Sequence, residues 1–158
     1  MRSPGGLLAA LGGLLVALAY LTMPLASLPL IGQITAPSLV SELSGQDAPS
    51  LTLLRLVPVI ALLIIALGLW SSLASPPVRA RRVGAVAVVA CAGLTGIAYL
   101  IPYNTLDQEL SQFPLSWLGI DAATFTGAGF WCALLGALVA ALGGLVQLVT
   151  GRAVAPST

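Results

Sequence analysis

Four apolar runs, none with a charge in its central part, constrain this chain more than any other feature. They extend from about Gly5 to Met23, Ala48 to Leu73, Val83 to Ile101 and Ala122 to Val149. A helix needs about 20 predominantly apolar residues to cross the hydrocarbon of a bilayer, where every backbone N–H and C=O must be satisfied within the segment. Only 7% of the 158 residues are charged and 58% are hydrophobic, whereas soluble domains carry about 25% charged residues. Too few polar groups remain to cover a soluble surface. The runs therefore predict an all-α membrane protein with four transmembrane helices.

The stretch Ser75–Arg82, SPPVRARR, divides the chain. It holds three of the six basic residues, Arg79, Arg81 and Arg82. Pro76 and Pro77 stop a preceding helix, because proline lacks the N–H and clashes with the turn before it. Arg2 and Arg152 lie at the two ends of the chain, while all five acids (Glu42, Asp47, Asp107, Glu109, Asp121) fall in the two long connections. Basic residues stay on the cytoplasmic side. Both termini and the central turn are thus expected inside a bacterial cytoplasmic membrane, with the long loops outside. Arg55 is the exception, about two turns into the second helix on the outer side. There it either snorkels to the headgroups or forms a polar site with Glu42 or Asp47.

The halves on either side of the turn resemble each other, in order. Ala19-Tyr20-Leu21 followed by Pro24 matches Ala98-Tyr99-Leu100 followed by Pro102. Ser38-Leu39-Val40-Ser41-Glu42-Leu43-Ser44 matches Thr105-Leu106-Asp107-Gln108-Glu109-Leu110-Ser111. Gly45-Gln46-Asp47-Ala48 matches Gly119-Ile120-Asp121-Ala122. The tyrosines are read as closing a helix at the outer interface, with the prolines ending it. The middle stretches read as short helices on the membrane surface, with Pro37 fitting a helix start. Asp47 and Asp121 read as N-caps of the next spanning helix. The expected architecture is two parallel helix–loop–helix repeats with short interfacial helices in the outer loops. Residues 1–74 form the first repeat, 75–82 the turn, 83–151 the second repeat and 152–158 a cytoplasmic tail. Arg2, the following apolar run and Ala17-Leu18-Ala19 have the pattern of a cleavable signal, but the recurrence of Ala-Tyr-Leu makes the first segment a repeat partner.

Small residues recur at helical spacing. Gly129, Ala133, Gly136, Ala140 and Gly143 form one stripe in the fourth segment, and Gly6, Ala10, Gly13, Ala17 and Tyr20 another in the first. Gly84, Ala87, Cys91 and Ala98 do the same in the third. In membranes such stripes let backbones approach closely, which gives Gly13, Gly129, Gly136 and Gly143 a helix-packing role. The second segment is bulkier through Leu62, Leu63, Ile64, Ile65 and Leu67, and is expected to face lipid or a partner.

Candidate chemistry is sparse. Histidine is absent, removing the commonest metal ligand and general base, and no motif for a phosphate loop, a metal site or a nucleophilic triad occurs. No catalytic, cofactor-binding or metal-binding residue is assigned. A calcium reading of the acidic loops competes with helix capping, which accounts for the same residues. A net charge of +1 gives no basic field for nucleic acid. Cys91 and Cys132 lie at different depths and read as small packing residues, not a disulfide. The polar residues left inside the bundle are Thr95, with Ser71, Ser72 and Gln147 near its cytoplasmic end. Trp70, Trp117 and Trp131 read as interface anchors.

Two features resemble a broad group of uncharacterised four-helix integral membrane proteins of GC-rich bacteria. One is the aromatic-then-proline close to the first helix, Tyr20 and Pro24; the other is a Gly/Ala-paced last helix opening with Gly127-Ala128-Gly129-Phe130-Trp131. The resemblance implies the architecture and no activity. Members often carry tryptophan after the proline, where this chain has Leu25. Claudin-like proteins share the four-helix topology, but their paired loop cysteines are absent here. The expected role is a non-enzymatic membrane subunit or scaffold whose partners are the lipid bilayer and either another membrane protein or further copies of itself. The alternative is a small self-assembling transporter or channel.

Overall fold

The computed structural model describes residues 4–28, 32–42, 49–74, 77–111 and 126–150. Helix α1 spans Pro4–Thr22, and a two-stranded antiparallel hairpin follows, β1 (Pro24–Leu28) and β2 (Gly32–Thr35). A short helix α2 covers Ala36–Glu42. Three long helices complete the chain: α3 (Pro49–Leu73), α4 (Val78–Ser111) and α5 (Ala128–Thr150). The stretches Pro4–Thr22, Leu53–Leu73, Val78–Asn104 and Ala128–Thr150 are long and apolar enough to cross a membrane. The chain is a multi-pass membrane protein with four spanning helices.

The helices form a ring in chain order. Helix α1 packs between α3 and α5, and α4 closes the ring against both. Neighbours run antiparallel, since Gly5 meets Gly143 and Gln147 while Gly12 meets Gly136 and Ala140. One end of the bundle thus gathers the starts of α1 and α4 with the ends of α3 and α5. This is the arginine end, carrying Arg79, Arg81 and Arg82. The opposite end, with Tyr20, Tyr99 and Phe130, is the tyrosine end. Half of α1's span is buried inside the bundle, against 28% of α3's.

Large apolar side chains cover the outside. Leu11, Leu62, Val83 and Leu135 are all more than half exposed. In water such a surface would be untenable, but in hydrocarbon it is solvated by lipid tails. The interior is built from small residues and β-branched ones, with Ala9, Val16, Val57, Ala61, Ile64, Val88 and Ala133 fully buried.

Several local readings differ from the structure. Pro102 does not end the third span, because α4 continues through it to Ser111. A proline inside a helix removes one hydrogen bond and strains the preceding turn, yet the turns on either side carry the helix on. Residues 105–111, expected as a separate surface helix, prolong α4. Arg79, Arg81 and Arg82 belong to the first turns of α4 and not to a loop, with the Arg81 N–H bonded to the Pro77 carbonyl at 3.0 Å. The fourth span begins at Ala128, six residues later than Ala122. The β-hairpin was not anticipated. It starts at Pro24, the strand-initial place where a missing N–H costs no ladder bond, with an irregularity between Pro24 and Ala26. Helix α2 overlaps the Ser38–Ser44 stretch that was read as a short helix. Ser38 Oγ accepts from the Thr35 N–H at 3.1 Å and donates to the Thr35 carbonyl at 2.8 Å, fixing the helix start. Asp47, Asp121 and Trp117 lie outside the described residues.

Candidate functional site

The buried polar side chains among the described residues are Ser71, Ser72, Thr95 and Gln147, the four picked out in the sequence. They come from three helices. Ser71 and Ser72 close α3, Thr95 sits mid-way along α4, and Gln147 occupies the last turn of α5. All but Thr95 gather at the arginine end.

Their hydrogen bonding separates them. The Ser71 hydroxyl donates to the Gly68 carbonyl at 2.9 Å, that of Ser72 to Leu69 at 2.9 Å, and that of Thr95 to Cys91 at 3.0 Å. Each hydroxyl proton is satisfied within its own helix, which makes these residues cheap to bury. Gln147 is different. It is 1% exposed, yet neither its amide nitrogen nor its oxygen has a partner. A buried unsatisfied polar group costs about 1–3 kcal/mol. Its Cγ lies 2.9 Å from where a side chain on Gly5 would begin, so only glycine at the start of α1 leaves it room.

The glycines fall into distinct contacts. Gly136 and Gly143 lie against the α1 backbone. A Cβ on Gly136 would stand 2.8 Å from the Gly12 carbonyl oxygen, and one on Gly143 2.7 Å from that of Gly5. Gly13 faces α3, 2.9 Å from side-chain atoms of Ile64 and Ile65. A Cβ on Gly129 would lie nearest the carbonyls of Met23 and Pro24, at 3.0 and 2.8 Å. A second seam on α1, Gly5-Ala9-Gly12-Val16, was not recognised in the sequence and is the face that meets α5. Its signal was present, since Gly5 and Gly12 are seven apart like Gly136 and Gly143. On α3, Gly68 supplies the counterpart to Gly13, its Cβ position 2.7 Å from both the Gly6 carbonyl oxygen and the Ala10 nitrogen.

At the tyrosine end, Phe130 is the hub. Its ring meets Tyr99 edge-on at 6.2 Å, stacks on Tyr103 at 5.4 Å and meets Trp131 edge-on at 5.3 Å. Tyr20 and Tyr99 are buried, 6% and 2% exposed, and so sit within the core instead of at the lipid interface. The Tyr99 hydroxyl has no partner. Beside this cluster the hairpin clasps α5, with the Gly127 N–H donating to the Leu25 carbonyl at 2.8 Å. A side chain on Gly127 would overlap the Pro24 carbonyl. The proline after Tyr20 and the Gly-x-Gly-aromatic opening of α5 are thus two sides of one contact.

Arg55 is exposed on α3 and joins none of these groups. Cys91 and Cys132 are free and half-buried. Among the described residues, no three His, Cys, Asp or Glu side chains cluster as a metal site. No protein family, curated protein or solved structure matches this chain.

Proposed function

We propose that this protein is a non-enzymatic accessory or scaffold subunit, embedded in a bacterial cytoplasmic membrane with both termini inside, that packs against other membrane proteins or against copies of itself. The observation that carries the reading is the unequal use of its helices. Helix α1 is locked between α3 and α5 by backbone-close glycine contacts. Helix α3 instead turns Leu56, Val59, Leu62, Leu63 and Leu69 outward. A bundle held this tightly is suited to present a fixed apolar face to a neighbour. The two-repeat architecture belongs to the same proposal. Ala19, Tyr20, Ala98 and Tyr99 are all buried while Leu21 and Leu100 are exposed, and the ring sets α1 across from α4.

Native mass spectrometry after mild-detergent extraction tests the reading. A stoichiometric companion, or a defined oligomer, supports it. A monomer with no companion, across several detergents, counts against it.

A second reading, a small self-assembling transporter, is favoured by Gln147, whose buried amide is free to bond a passing polar solute. Replacing Gln147, Ser71, Ser72, Thr95 and Arg55 with leucine should then abolish solute flux into liposomes. Unchanged flux would end that reading.

A further inference from the structure

We infer that the arginine end binds the phosphate of an anionic phospholipid headgroup, held by Arg81 where α4 meets the end of α5, with the exposed Arg79 and Arg82 adding positive charge beside it. Three observations converge there. First, among the described residues no acid lies near this charge. None of the spans α1, α3 and α5 carries an acid. The acids on α4 itself, Asp107 and Glu109, lie 26 and 28 residues beyond Arg81, roughly 40 Å at 1.5 Å per residue.

Second, the arginines stand where helix physics disfavours them. A helix N-terminus is the positive end of its dipole, so cations in the first turn are repelled and an anion is attracted. Three cations at that position do not serve the helix; they and the helix end call for the same anion.

Third, Arg81 is partly withdrawn from water without a counterion. Its Nε is buried with no partner. Its one described side-chain bond runs from Nη2 to the Thr150 hydroxyl at 3.4 Å, a neutral group that itself donates to the Val146 carbonyl at 2.8 Å. Desolvated charges are normally paired. Thr150 holds the guanidinium at the α4–α5 junction, and a planar guanidinium suits two phosphate oxygens at once. Arg79 and Arg82, both exposed, stand three apart on a different face of α4 from Arg81 and add positive charge beside it without sharing its phosphate. The depth is appropriate, since Trp70 lies at this end, its ring 3.8 Å from the Cβ position of Gly84, and tryptophan favours the headgroup level.

The test uses Trp70 as reporter in the full chain, with Trp117 and Trp131 changed to phenylalanine. The protein is reconstituted in phosphatidylcholine vesicles containing brominated phosphatidylglycerol, or brominated phosphatidylcholine as reference. The ratio of quenching gives the preference for the anionic lipid at this end. Each basic residue near a membrane surface adds about fivefold, so R79Q/R81Q/R82Q should lower the preference about a hundredfold. R81K keeps the charge but loses the fork, and should lose a clear part of the preference. If R81K equals the parent while the triple variant loses all preference, the attraction is diffuse and the site is refuted. Equal quenching by both lipids in the parent refutes it too. Loss of the preference on adding inorganic phosphate would overturn the lipid assignment in favour of a free anion. Helicity by circular dichroism checks that the variants stay folded, and the parent protein alone can refute the proposal.

Discussion

Alanine in place of Gly143 and of Gly93 should move stability in opposite directions. The Gly143 methyl would sit 2.7 Å from the Gly5 carbonyl oxygen and 2.9 Å from Ala9 Cα. Both are backbone atoms, so no rotamer change relieves the clash. Nonbonded carbon contacts rest at about 3.5–4.0 Å, so the helices must part by roughly 0.7–1 Å. Such a gap forfeits about a quarter to a half of each contact, worth about 0.1–0.2 kcal/mol per atom pair. Over some forty pairs along the α1–α5 seam, the loss is on the order of 2 kcal/mol. Alanine's better helix propensity returns about 1 kcal/mol, leaving a net destabilisation of about 1 kcal/mol. Gly93 has nothing within 4 Å of its Cβ position, so Gly93→Ala keeps the propensity gain alone. The two variants should differ by about 2 kcal/mol. Reversible unfolding in bicelles, followed by steric trapping, resolves such a difference. Equal shifts for the two variants would refute the claim that backbone contact along this seam holds the bundle.

Gly68→Val should destabilise the α1–α3 contact by at least as much as Gly143→Ala, because its Cβ meets the Gly6 carbonyl and Ala10 nitrogen; the same unfolding assay reads it. Gln147→Leu should stabilise the bundle by about 1–3 kcal/mol, by removing two unsatisfied polar atoms. A fall in stability would mean that the amide has a partner in the membrane. Cys91 and Cys132 should remain thiols under oxidising conditions, with unchanged mobility on non-reducing gels. Gly144 pairs with Ala85 and Val88, which sets Cys132 about 10 Å along the antiparallel helices from the level of Cys91, beyond disulfide reach.

The spanning helices were legible because a bilayer admits so few structures. A predominantly apolar run of about 20 residues has no alternative to a helix in a bilayer, so the helices Pro4–Thr22 and Pro49–Leu73, the second carrying Arg55 near its start, differ little from the expected bounds. The buried polar set was legible for the same reason, since polar residues are rare enough in these runs to be counted. What the pattern could not supply was depth of contact. Glycines every seventh residue fit any close approach, and Gly129 has the same spacing as Gly136 although its neighbour is a strand. Pro102 was misread because a proline after Tyr99 repeats the proline after Tyr20. At Pro24 the chain turns into a hairpin, whereas at Pro102 the helix continues, and nothing local to the two prolines distinguishes them. The hairpin itself escaped notice because part of its support comes from a residue remote in sequence. Leu25 is held by the Gly127 N–H, about 100 residues away in sequence.

That hairpin contact bears on what the two halves have become. A strict twofold relation of the repeats would make the α1–α5 and α3–α4 interfaces equivalent. The first is a backbone seam through Gly5, Gly12, Gly136 and Gly143. At the second, Gly84 meets only the Trp70 ring at 3.8 Å. The tight interface therefore joins the first helix to the last, and the hairpin clasp at Gly127 and Gly129 reinforces the same pair. Small residues gain their contact energy by bringing backbones together, and the closest contacts lie along α1, where it meets α5 and, through Gly68, α3. Helices α3 and α4 meet each other mainly through side chains, which can repack at lower cost. The outward side chains of α3, Leu62 and Leu63 among them, are thus where a partner helix could dock with least disturbance. Under the scaffold reading, changes to Leu62 or Leu63 should weaken partner capture while leaving the α1–α5 seam intact, whereas a transporter whose polar centre is Gln147 would be indifferent to them.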